Sequence, residues 1–240
     1  MTGRGAACWF VALVTSVAAV PTGRAQAGQD NILSRVDHLV YTTPDLQVGV
    51  NTIEQLLGVR ATTGGQHPGL GTRNALVALG PSSYLEIIGP DPEQPTPQGK
   101  RRFGIDDLEA PRLFTWVAKG SELDALAGKA SAAGIGLGRV LSGSRRRPDG
   151  VLLTWRYTDP DVSVADRLVP YFIDWGASPH PSLTAARGAT LVGLRAQHPD
   201  APRVQKMLDS LGLTLVVERG PRPSLIATIR GPKGQVELRS

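Results

Sequence analysis

Three times along the chain a short apolar run rich in β-branched residues gives way to an amphipathic stretch, a glycine and further short apolar runs. Arg35 to Thr42 (RVDHLVYT) reads as a strand. Thr43-Pro44-Asp45 offers a helix cap with proline at the first helical position. Leu46, Val50, Ile53 and Leu57 then share one helical face, and Gly58 supplies the stop. Ala75 to Leu79 and Tyr84 to Ile88 read as two more strands around Gly80-Pro81-Ser82-Ser83. The pattern restarts at Leu113 with LFTWVAK, a helix face of Leu123, Leu126 and Ala130, the stop Gly134, and strands over Val151–Tyr157 and Val169–Asp174. It restarts again at Ala189 with LVGLRA, the cap Asp200, a face of Val204, Met207, Leu208 and Leu211, the stop Gly212, and the runs LTLVVE, SLIATIR and QVELR. The three stops stand 76 and 78 residues apart, which reads as an internal repeat. The expected class is α+β, with three βαβββ units over residues 35–92, 112–176 and 189–240. The proline-rich segments Gly89–Arg112 and Gly176–Gly188 read as surface connectors.

The N-terminus has a different pattern. Ala6 to Val20 is an uncharged apolar run, shorter than the ~20 residues a spanning helix needs. Arg4 precedes it, and Pro21 and the small-x-small triplet Ala25-Gln26-Ala27 follow. These are the three regions of a secretory signal cleaved after Ala27, so residues 1–27 are expected to be removed and 28–34 to form a short tail. The protein is expected to be exported, periplasmic or secreted, with no stable membrane span after cleavage.

Composition narrows the chemistry. The chain has 240 residues, 41% hydrophobic and 20% charged, an ordinary globular balance. The one cysteine, Cys8, falls in the expected signal, so neither an intrachain disulfide nor a thiolate site is available. The formal charge of +5 also shrinks on cleavage, because Arg4 and Arg24 leave 24 basic against 21 acidic residues. That bias is too weak to indicate nucleic acid. Arg145-Arg146-Arg147 before Pro148-Asp149-Gly150 reads as a hairpin turn with a solvated face, and Trp116, Trp155 and Trp175 read as core packing in preference to an apolar wall facing a small ligand. His180 reads as a surface residue and His198 as a solvated one.

Two ionisable residues interrupt the apolar strands. His38 shares a strand face with Val36 and Val40, and Glu86 shares one with Tyr84 and Ile88. Such groups are costly inside a sheet unless paired, so each is either a hydrogen-bonded core residue or part of a metal pair.

The strings VDHLVYTTPDL, QLLGV, GGQHPGLGTRNALVALG and SYLEIIGPDPEQP, in that order, resemble the glyoxalase-like branch of the vicinal oxygen chelate superfamily. That superfamily includes glyoxalases, extradiol dioxygenases and small-molecule resistance proteins. The resemblance covers residues 35–176 and implies βαβββ units paired into a curved-sheet cup around a divalent metal ion. Its ligands would come from the first and last strands of each unit, which places His38 and Glu86 on the first unit's ligand positions. The second unit departs from the pattern, with Thr115 opposite His38 and Ile173 or Asp174 at the other position. The third unit aligns Glu237 with Glu86. If units one and three formed the cup, the metal set would be His38, Glu86 and Glu237. The resemblance also makes Gly64–Asn74 functional, with His67, Arg73 and Asn74 as substrate contacts and Glu86 or His67 moving the proton. The implied activity is metal-assisted lyase, isomerase or dioxygenase-type chemistry on a small molecule with adjacent oxygens. The alternative is a non-catalytic module that binds a small molecule. An unpaired third unit would either pack on the flank of the cup or complete a homodimer by swapping.

Overall fold

The computed structural model describes residues 32–240; the expected signal over residues 1–27 lies outside them. A helical turn over 32–35 leads into β1 (Val36–Thr42), followed by α1 (Leu46–Leu57), β2 (Thr62–His67), β3 (Thr72–Gly80) and β4 (Ser83–Pro90). The second unit is β5 (Arg112–Lys119), α2 (Leu123–Ala132), β6 (Val140–Arg146), β7 (Leu152–Thr158) and β8 (Tyr171–Asp174). The third is β9 (Thr190–His198), α3 (Ala201–Ser210), β10 (Val216–Arg219), β11 (Ser224–Gly231) and β12 (Gly234–Arg239).

Local chemistry explains the helix ends. The Asp45 carboxylate accepts the Val48 amide at 3.0 Å, so Asp45 is the cap of α1 and Pro44 stands before the helix rather than inside it. Gly58, Gly134 and Gly212 all take the left-handed conformation that ends a helix, with φ of 75°, 75° and 69°. The sequence pattern misses β2 (TTGGQH) and β6 (VLSGSRR), and Arg145 and Arg146 lie in a strand instead of a turn. Both missed strands are the outermost of their sheet, where polar side chains replace the apolar runs of inner strands.

Units one and two form one curved eight-stranded sheet in the order β2-β3-β4-β1-β5-β8-β7-β6. Within each unit the first and last strands run parallel, β1 beside β4 and β5 beside β8, and β1 joins β5 antiparallel. The curvature brings the two outer strands together. The Arg145 guanidinium on β6 donates to the Gly64 carbonyl on β2. A Cβ added to Gly65 would stand 2.6 Å from the Arg146 carbonyl oxygen, so only glycine fits that seam.

The third unit repeats the order of elements but not their wiring. Its sheet runs β10-β9-β11-β12, with β9 parallel to β10 and separated from its last strand by β11. It packs on the flank of the cup, the first of the two expected arrangements. Leu191, Leu194, Val204, Leu208 and Ile229 share one apolar core with Ile53 and Leu57 of α1 and Trp116 of β5. The Lys233 amide also bonds the Leu57 carbonyl at the end of α1. The second connector is not bare surface: the Ala78 amide donates to the Ala186 carbonyl at 2.8 Å, which ties the connector to β3. No helix among the described residues is long and apolar enough to cross a membrane.

Candidate active site in the cup

The concave face of the sheet encloses a cavity of about 650 Å³, its open mouth included. Its two sides differ in chemistry. The first unit contributes His38, His67, Asn74, Tyr84 and Glu86; the second contributes Trp155, Tyr157, Tyr171, Ile173 and Trp175. Arg102, Phe103, Leu70 and Pro160 also line it.

A break in strand pairing creates the central group. Val36 faces Ala118 while His38, two residues on, faces Val117, so Asp37 is the extra residue of a β-bulge in β1. A bulge lets consecutive side chains share a side that a regular strand would deny them. Asp37 Oδ1 therefore lies 2.8 Å from His38 Nδ1. The buried Asp37 carboxylate also accepts from the Trp175 indole N–H at 3.2 Å and from His180 Nε2 at 3.2 Å. Burial alone would raise the Asp37 pKa, but the hydrogen bonds and charges of His180 and His38 outweigh it and bring the value down to about 2. His180 Nδ1 accepts the Ser182 amide, which leaves its Nε2–H to donate. His180 is thus a buttress of the site rather than a surface residue.

With Nδ1–H given to Asp37, His38 turns the lone pair of Nε2 into the cavity. The Tyr171 hydroxyl lies 3.4 Å from that nitrogen and Glu86 Oε2 3.8 Å from it. The Tyr84 ring stacks on the imidazole at 4.6 Å. Burial first, and then the charges of Glu86 and Asp37, hold both phenols well above the ordinary tyrosine range, so both stay protonated.

The other oxygen of Glu86 belongs to a second set. Asn74 Nδ2 donates to Glu86 Oε1 at 2.6 Å and lies 3.4 Å from His67 Nε2. His67 Nδ1 meets the Thr72 hydroxyl at 3.0 Å, and its Nε2 lies 3.7 Å from Glu86 Oε1. Burial, only partly offset by Glu86, pushes the His67 pKa down and keeps the ring neutral.

The structure gathers His38, His67, Asn74 and Glu86 of the expected residues, but not Arg73 or Glu237. Arg73 is one step along β3 from the cup-facing Thr72 and Asn74, so alternation sends it to the opposite face. There it lies 4.0 Å from Asp91 and 3.8 Å from Glu93. Glu237 sits in the four-stranded sheet, paired with Arg195 at 3.1 Å and with Arg239. Its alignment with Glu86 fails because β12 does not lie beside the first strand of its unit, as β4 does. His198 is also corrected: it is buried and meets Asp166 at 3.0 Å. Of the tryptophans, Trp116 is core, whereas Trp155 and Trp175 line the cavity. Sequence reasoning missed Asp37, Tyr171, Arg145 and His180. The doublet Asp37-His38 inside an apolar strand was the available signal, since two adjacent ionisable residues there require a bulge or a partner.

A divalent ion in a cup of this kind needs three or four donors converging on one point. The corresponding strands supply His38 and Glu86 from the first half. In the second half Thr115 donates its hydroxyl to the Arg167 carbonyl at 3.1 Å, and Ile173 has no donor atom. Asp174 instead accepts the Gly176 amide. His67 stands at the far oxygen of Glu86 from His38. Among the described residues no three His, Cys, Asp or Glu side chains form a group that could hold a metal ion. The donor set does not fit the expected metal.

Comparison with known proteins bears on the fold. No curated protein shows significant sequence similarity to the chain. The crystal structure of a hypothetical protein from Staphylococcus aureus is similar over 85% of this chain and 84% of that one, with a TM-score of 0.57 at 12% identity. Methylmalonyl-CoA epimerase from Mycobacterium tuberculosis covers 60% of this chain and 90% of its own, with a TM-score of 0.39 at 19% identity. A hypothetical protein from Bacillus halodurans covers 60% and 96%, with a TM-score of 0.40 at 13% identity. The family model of the glyoxalase-like domain matches residues 36–212. That span runs from the first residue of β1 through both halves of the cup to the glycine that closes α3, and the chain belongs to the glyoxalase-like domain family, within the vicinal oxygen chelate superfamily.

Proposed function

We propose that the cup binds a small molecule with adjacent oxygens and that His38 moves a proton next to one of them without a resident metal. The observation that carries this reading is the Asp37–His38 pair. A carboxylate fixed on Nδ1 sets the tautomer, aims Nε2 at the cavity and stabilises the imidazolium that forms on proton uptake. In the step, Nε2 takes a proton from carbon next to a carbonyl. The C–H electron pair becomes the enolate C=C bond, and the carbonyl π pair moves to oxygen. The Tyr171 hydroxyl, protonated and beside Nε2, donates a hydrogen bond to that oxygen. The proton returns from the imidazolium to carbon, on the same or the opposite face. Glu86 Oε2 adds negative charge facing the imidazolium. The aromatic wall opposite excludes water and holds the apolar part of the ligand.

The test is deuterium incorporation from heavy water, followed by proton NMR, into a panel of 2-oxo acids and 1,2-diketones at the carbon next to the carbonyl. The expected result is incorporation above the buffer rate for at least one compound, reduced about a hundredfold or more in His38→Gln. Incorporation that His38→Gln leaves intact would refute the assignment. The second reading, a module that binds without chemistry, is favoured by the loss of polar donors at Ile173 and Thr115. Saturable binding of a panel compound with no exchange would support it. Export of the mature chain from residue 28 is part of the same proposal, resting on the N-terminal pattern alone.

A further inference from the structure

One cationic group in the cup has no carboxylate in direct contact among the described residues, and Glu86 acts on it only through its charge at a distance. Arg145 on β6 is only 3% exposed and lines the cavity. Among the described residues its guanidinium makes one hydrogen bond, to the neutral Gly64 carbonyl, and no carboxylate stands within ion-pairing distance. Arg146 and Arg147 beside it behave differently, bonding Gly150 and Asp149 at the exposed hairpin. A buried guanidinium keeps its charge and has five donors arranged in a planar fork, so leaving it without an anion is costly. Trp155 fixes the other side: its indole packs against Gly143, two residues before Arg145 on the same face of β6, where a Cβ would lie 2.6 Å from the ring.

We infer that Arg145 anchors a carboxylate, so that the ligand of the cup is a small anionic molecule with an aromatic or branched apolar body. The carboxylate takes the fork of Arg145 in the bidentate geometry that guanidinium favours. The body lies against Trp155 and Trp175, and the carbon next to the carboxylate-bearing carbonyl faces His38. A 2-oxo acid satisfies all three contacts at once. This inference rests on the proposed proton transfer for the orientation of the ligand, but not for the anion contact itself.

The experiment compares acids with neutral counterparts of the same shape: phenylpyruvate with phenylacetone, phenylacetate with phenylacetamide, and benzoate with benzamide. Binding to the mature protein is read by tryptophan fluorescence and calorimetry. At least one acid is expected to bind tenfold or more tightly than its neutral partner in the wild type. Arg145→Gln, which still offers a donor to the Gly64 carbonyl, is expected to erase that preference, and Arg145→Lys to retain part of it. If no acid outbinds its neutral partner in the wild type, the inference is overturned, whether or not the variants fold. A folded Arg145→Gln that keeps the preference overturns it as well. His38→Gln separates the two readings. Loss of exchange with the acid preference retained supports both, whereas an acid preference in a wild type that exchanges no proton sustains the anchor and sinks the catalysis.

Discussion

The Asp37→Asn substitution tests the heart of the site, because it removes one charge with almost no change of shape. Asp37 is 1% exposed, and its pKa falls from a reference 3.8 to about 2 in the folded protein. The causes are opposed: burial raises the value, while the hydrogen bonds from His180 and His38 and their charges lower it further. The net shift converts to about 2.5 kcal/mol of folding stability, at 1.36 kcal/mol per unit. A carboxyl with a depressed folded pKa stabilises the protein above its unfolded value, near 4, and that stability is lost as pH falls through about 2. The asparagine variant lacks the contribution at every pH. Denaturant unfolding at pH 7 should therefore place the variant about 2.5 kcal/mol below the wild type, and the gap should close towards pH 2. An equal unfolding midpoint at pH 7 would refute the charge argument. A gap that persists undiminished at pH 2 would refute it too, because the loss would then come from packing. The same variant should slow exchange about a hundredfold, since an amide no longer fixes the His38 tautomer.

Three further outcomes are expected, two from the geometry and one from the N-terminal sequence. Gly65→Ala should destabilise the protein by about 2 kcal/mol or more, because φ is +146° and the new Cβ would meet the Arg146 carbonyl at the seam; an unchanged melting temperature would count against the closure described. The purified protein, loaded with zinc or manganese and then dialysed, should retain no stoichiometric ion, as His38 and His67 meet opposite oxygens of Glu86 and do not converge on one point. Retention abolished in His38→Ala would reverse that conclusion. Mass spectrometry of the chain expressed with its own N-terminus should find a species beginning at Gly28 in the exported fraction; an intact Met1 form there would dispose of the signal reading.

What could be read from the sequence was local. The α1 face, its Gly58 end, and β1 and β4 all follow from spacings within a dozen residues. The strands β2 and β6 stayed hidden because an outer strand need not carry an apolar run. Their partnership across the seam, and with it the burial of Arg145, depends on residues about 80 positions apart. Glu237 shows the same limit from the other side. QVELR resembles SYLEI as a string, yet strand wiring decides which residues a carboxylate meets, and β11 intervenes between β9 and β12. His67 and Asn74 were legible because a short hairpin returns β3 beside β2, so their proximity is set by the segment itself.

The two halves of the cup share a topology but have divided its work. Every imidazole and carboxylate lining the cavity comes from the first half, while the second presents aromatic rings and Ile173 where donors would stand. A pair of symmetry-related donor sets could share an ion; here His38 and His67 meet opposite oxygens of Glu86, and the other half adds no imidazole or carboxylate to complete a ligand set. That asymmetry favours proton transfer over metal chemistry, since a base requires one well-aimed nitrogen and not a ring of donors. The aim of that nitrogen is set partly from outside the halves. Asp37 is held by Trp175 and by His180, and His180 is placed by a connector that is itself bonded to β3. The segment that carries the chain out to the third unit therefore also fixes the tautomer of His38, and the site depends on the connector as much as on the strands that frame it.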